Sequence, residues 1–136
     1  MRAETRARAR ALQALYAWDV RGKDPLERVA SQVWDDLAVS ADERRLAGPL
    51  IRDIAHGSAE IDADLADVTT NWRLERLGVV ERSVLRLAAA EFRRESAPPR
   101  VVIQEAVRLA ERFGSPQSAR FVNGVLDALA RRMGRL

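Results

Sequence analysis

Four arginines, Arg2, Arg6, Arg8 and Arg10, stand in the first ten residues against one carboxylate, Glu4. Guanidinium groups at this density suit a polyanion such as nucleic acid, because each phosphate they neutralise releases condensed counterions. The same residues also make an ordinary solvated helix face, so charge by itself leaves both readings open. The segment carries the whole formal net charge of +3, the remainder being balanced. Lys23 is the one lysine among 23 basic residues, so an arginine at any single position says little about phosphate recognition.

A second polar group stands near the other end. In FGSPQSARFVNGVLDAL, residues 113–129, Val122, Val125, Leu126 and Leu129 repeat on one helical face. Arg120, Asn123 and Asp127 occupy the opposite face, with Phe121 on the edge between them. The pattern by itself leaves open what this polar face touches. Gly124 in a helix interior costs about 1 kcal/mol relative to Ala, so a bare surface is wanted there, either by a neighbouring helix or by a bound backbone. Tyr16, at the margin of the first helix's apolar face, is a core-edge residue or a stacking platform. Glu81 either compensates a helix dipole or meets a cation from a partner.

Enzyme chemistry finds few materials. The chain has no Cys, which excludes a thiolate nucleophile, a thiolate zinc site and a disulfide framework. His56 is the single histidine and has no nucleophile signature near it. The acidic run EIDADLAD, residues 60–67, lacks the Gly and terminal Glu of a calcium loop and reads as a solvated helix face. No catalytic residue, metal site or cofactor is therefore expected. Neither a membrane-spanning run nor a secretory signal is visible, so a soluble cytoplasmic protein is expected.

The elements that must position these groups are helical throughout, and no alternating window reads as a strand. The 136 residues suffice for one domain with its own core. Residues 4–20 place Ala7, Ala11, Leu12, Leu15 and Trp18 inward, with Arg6, Arg10 and Gln13 outward. Asp24 as cap and Pro25 at the first position open a helix to about Leu37, with Leu26, Val29, Ala30, Val33 and Leu37 inward. Ser40 and Glu43 form a capping box for the next helix, which Pro49 should bend or break. TTNW, residues 69–72, is a second cap region, and Gly78 divides a short helix from a long one. SAPP, residues 96–99, ends that helix. The following helix puts Val102, Ile103, Ala106, Leu109, Ala110 and Phe113 inward and Gln104, Glu105, Arg108, Glu111 and Arg112 outward. Gly114 supplies a left-handed turn, and Ser115 and Pro116 start the last helix.

RARARALQALYAWD, VVERSVLRLAAAEF and PPRVVIQEAVRLAERFGSPQSARFVNGVLDALA together resemble the NusB family of bacterial transcription antitermination factors over essentially the whole chain. The segments AVRLAERFG and FVNGVLD are the most specific. The resemblance implies about seven helices in two packed three-helix bundles, roughly residues 1–68 and 69–136. It further implies binding to single-stranded boxA RNA of ribosomal RNA transcripts, together with the ribosomal protein that acts as NusE, within the RNA polymerase antitermination complex. By position it assigns RNA contacts to Arg6, Arg8, Arg10, Gln13, Tyr16, Gln117, Arg120, Phe121 and Asn123, and the protein-partner face to Glu75 and Glu81. The sequence departs from the family pattern at Glu4 and Thr5, which interrupt the basic arm, at Glu111 and at Ala90. A helical protein-interaction module, or a homodimer, without sequence-specific RNA binding is the alternative.

Overall fold

The computed structural model describes residues 2–69 and 73–136, and among them the regular structure is helical, with no strand. Six α-helices and one 3-10 turn stand where about seven helices are expected. They are α1 (Ala3–Arg21), α2 (Leu26–Asp36), α3 (Ala41–Ala66), the 3-10 turn Leu74–Arg76, α4 (Val79–Arg94), α5 (Pro99–Phe113) and α6 (Pro116–Arg132). The chain divides into two compact units, Met1–Gly57 and Ser58–Leu136. This boundary falls inside α3. Gly57 leaves helical geometry (φ −128°, ψ 22°), and the acidic stretch beyond it is bound to the second unit. Helical φ/ψ continue through Pro49, so the proline does not break α3. Its fixed φ is compatible with a helix, and what it removes is one donor to the preceding turn.

In the first unit, α1 buries Ala7, Ala11, Ala14, Leu12 and Leu15. This mostly small face lets α2 pack closely on it. Gly22 ends α1 in the left-handed region (φ 78°), its N–H donating to the Trp18 carbonyl at 2.9 Å. Pro25 takes the N-cap position of α2, which no side chain caps, so Asp24 is not the cap and Pro25 is not the first helical residue. Leu37, expected inward, lies just past the end of α2 and is 46 % exposed. Trp34 is the inward residue instead, and its indole N–H donates to the Arg10 carbonyl at 3.0 Å.

Ser40 caps α3 as its sequence signature requires: Oγ accepts the Glu43 N–H at 3.2 Å. The same hydroxyl donates to Glu43 Oε2 at 2.9 Å, while Glu43 Oε1 accepts Arg10 Nε at 3.0 Å. The Ser40 hydroxyl foremost, and then Arg10 with a smaller field from Arg6, hold the Glu43 carboxyl below the usual glutamate range against the opposite effect of burial.

In the second unit α4, α5 and α6 pack pairwise. Val84, Leu85, Phe92, Val102, Leu109, Val122, Leu126 and Leu129 are buried. Gly78 caps α4 after the 3-10 turn, as expected. Glu105, expected outward, is 4 % exposed. It stands three residues after Val102 and four before Leu109, on the buried stripe, with Arg108 Nη1 at 3.7 Å. The acidic run is not simply solvated: Asp62 accepts two bonds from Arg86 at 2.9 and 3.1 Å, Asp64 accepts Arg93 at 2.7 Å, and Asp67 accepts Arg132 at 3.2 Å. Thr69 donates to the Leu65 carbonyl at 2.8 Å; the rest of the expected cap region, Thr70, Asn71 and Trp72, lies outside the described residues.

Glu43 gives a pH test. Its folded carboxyl is more acidic than an unfolded glutamate, so its contribution is complete above the unfolded pKa of about 4.3 and disappears as pH falls through the folded value. Glu43→Gln should destabilise the protein by about 1–2 kcal/mol at pH 7, the Arg10 share being reduced by solvent screening. In denaturant titrations the difference from wild type should stay constant down to about pH 5 and narrow below it. A difference that persists unchanged into acid would rule out the carboxylate as its source.

Candidate nucleic-acid interface

The two groups of polar residues sit one in each unit. On α1, Arg6, Arg10 and Gln13 recur at helical spacing on one stripe. Arg6 is exposed. Arg10 is half-buried and committed inside the unit: besides Glu43, its Nη1 donates to Gln13 Oε1 at 3.1 Å. Tyr16 is 46 % exposed, an open aromatic surface on the edge of that stripe. Arg8, expected among the phosphate-facing arginines, is only 7 % exposed. It stands four residues before Leu12 and seven before Leu15, on the buried face, and it has a partner within the protein. The periodicity alone carried this signal; the cluster of like charges hid it.

On α6 the start is fixed tightly. The Ser115 hydroxyl accepts the Ser118 N–H at 3.1 Å and lies 3.0 Å from the Ser118 hydroxyl. Gly114 is not left-handed as expected (φ −120°, ψ −108°). Its necessity is one of space: a Cβ there would meet the Ala110 carbonyl oxygen at 2.7 Å and Ser118 Oγ at 2.9 Å. From this turn α6 presents Gln117, Arg120 and Asn123 exposed, with Phe121 half-buried beside them. Arg120 has no ion pair among the described residues. A Cβ on Gly124 would find nothing within 4 Å. Among the described residues, helix packing therefore gives no reason for this glycine.

Glu75 and Glu81 lie on either side of the start of α4. Glu75 is exposed in the 3-10 turn and Glu81 is half-buried in the first turn of α4. The Glu81 carboxylate leans over Gly78, where a Cβ would come within 2.9 Å of Oε1. Arg82 pins this segment by donating to the carbonyls of Leu77 at 2.5 Å and of Leu74 and Glu75 at 3.4 Å. Sequence reasoning did not single out Arg82, whose role depends on a turn folding back over the helix start.

The NusB family profile matches residues 5–131. The transcription antitermination protein NusB of Anaeromyxobacter dehalogenans is 44% identical over 127 residues, covering 93% of this chain and 89% of that protein. That of Solibacter usitatus is 42% identical over 137 residues, covering 98% and 92%. Among solved structures, T. maritima NusB aligns with a TM-score of 0.87 at 34% identity, covering 94% of this chain and 90% of that one. A chain in the complex of antitermination factors NusB and NusE with double-stranded RNA aligns with a TM-score of 0.88 at 30% identity, covering 97% and 98%.

Two substitutions separate buried from open positions. Arg8→Gln should lower stability by at least about 1 kcal/mol, whereas Arg6→Gln should leave it within about 0.5 kcal/mol. Gly124→Ala should raise stability by up to about 1 kcal/mol, since the new methyl meets open space in a helix interior. Thermal unfolding of the three variants checks this, and a destabilised Gly124→Ala would mean that the glycine serves the fold.

Proposed function

The chain belongs to the NusB family, and from that membership we propose that it is a transcription antitermination factor that binds single-stranded boxA-type RNA of ribosomal RNA transcripts together with the ribosomal protein acting as NusE. The observation that carries the RNA reading is the exposed stripe of α6, where Gln117, Arg120 and Asn123 flank a glycine that the fold leaves bare. The Arg120 guanidinium supplies phosphate attraction, the Asn123 amide matches a base edge, and the edge of Phe121 offers a stacking surface. On α1, Arg6 and the exposed Tyr16 supply a further charge and ring, with Arg10 and Gln13 held in place behind them. The two compact units serve one RNA-binding domain. Glu75 and Glu81 face the protein partner, because carboxylates repel phosphates and attract a basic ribosomal protein. The action is binding rather than catalysis, and it takes place in the cytoplasm; no helix among the described residues is long and apolar enough to cross a membrane.

The test is a titration of boxA-type single-stranded RNA, a scrambled strand and a duplex, with and without the NusE partner. A sequence preference that strengthens with the partner is expected. Asn123→Ala should reduce preference at one base position with non-specific binding nearly intact, and Phe121→Leu should weaken every RNA by up to about 3 kcal/mol. Glu81→Gln should weaken the protein partner alone. Equal affinity for all three RNAs, with and without partner, would refute the reading.

A further inference from the structure

Between α5 and α6 runs an open groove of ≈ 440 Å³. Arg100, Arg108 and Arg131 stand around it, the amides of Gln104 and Asn123 line it, and Asp127 is its carboxylate. Asp127 already accepts Arg131 at 2.9 Å, and Arg108 reaches the buried Glu105 only at 3.7 Å. Three guanidiniums thus line the groove against one side-chain carboxylate, and Arg100, in the first turn of α5, is the one that carries no ion pair among the described residues. Asn123 belongs both to this groove and to the exposed stripe of α6, and Gly124 follows it with open space around it.

We propose that single-stranded RNA held on the Gln117, Arg120 and Asn123 stripe continues past Gly124 into this groove, where Arg100 and Arg108 take its phosphates. The inference rests on the RNA reading given above and extends the bound strand beyond it. Charge complementarity requires an anionic occupant. An acidic amphipathic helix needs a row of exposed apolar anchors, whereas of the three apolar lining residues Ile103 is 8 % exposed, Val107 is half-buried and Leu136 alone is exposed, at 37 %. Gln104 and Asn123, each donor and acceptor at once, suit base edges. At Gly124 the helix surface comes down to backbone, so a sugar-phosphate chain can pass without meeting a side chain.

The test uses the full chain with its NusE partner and labelled single-stranded RNA of two kinds: a boxA core, and the same core extended by about six nucleotides on the 5′ or the 3′ side, within the range of single-strand site sizes. Wild type should bind one of the extended strands at least about threefold more tightly than the core. Arg100→Gln with Arg108→Gln should abolish that gain, leave the affinity for the core unchanged, and reduce the salt slope for the extended strand by about 1.4, or about 0.7 for each phosphate no longer neutralised. Arg100→Gln alone, which breaks no ion pair among the described residues, should remove about half of the slope change and keeps the test independent of Glu105. If the core binds but neither extension adds affinity, the groove inference falls and the RNA reading stands. If the core itself shows no binding, both fall. Variants that weaken the NusE partner without altering the dependence on RNA length would make the groove a protein surface and overturn the inference.

Discussion

Arg10 joins the three helices of the first unit through two chemically different groups. Its guanidinium bonds to Glu43 at the start of α3, and its backbone carbonyl accepts the indole N–H of Trp34 from α2. Glu43 is in turn held by the hydroxyl of Ser40, the residue that caps α3. A buried carboxylate with a cation and a hydroxyl donor is stable, whereas without them it is a desolvated charge. The start of α3 and the middle of α1 are thus mutually dependent. Whatever α1 presents to solvent is presented from a helix fixed at its centre.

The second unit solves a similar problem with more exposed charges and one crowded turn. Asp62 and Asp64 tie the end of α3 to α4, and Asp67 bonds to Arg132 at the end of α6. Between α5 and α6 the chain turns over Gly114, where any side chain would collide with Ala110 and Ser118. This makes the rotation of α6 about its own axis a consequence of backbone sterics and of the Ser115 cap. The polar stripe of α6 is rigid because its opposite face, Val122, Leu126 and Leu129, is buried.

In a chain so rich in arginine, position rather than number decides which cations a partner can reach. Arg8 is inside, Arg10 serves Glu43, and Arg86, Arg93 and Arg132 serve the acidic run. Arg6, Arg100 and Arg120 stay exposed. A uniform basic surface would attract any polyanion. On α6, Arg120 stands instead beside the exposed amides of Gln117 and Asn123, the half-buried Phe121 and the open surface of Gly124.

The helical class, the Ser40 and Ser115 caps, the division at Gly78 and most of the buried faces of α1, α5 and α6 were legible in the residues alone, because periodicity and capping are local properties of neighbouring residues. The family was legible in the last third of the chain, where AVRLAERFG and FVNGVLD keep a fixed spacing. The same periodicity already put Arg8 and Glu105 inside, and their charge concealed it. It took packing between distant segments to turn Trp34 rather than Leu37 inward, to divide the units at Gly57, to make Gly114 necessary for space rather than for a left-handed φ, and to leave open space at Gly124 among the described residues. Each of these depends on which atoms from distant segments arrive within a few ångströms, and ion pairs such as Arg10 with Glu43 form between residues that no local pattern relates.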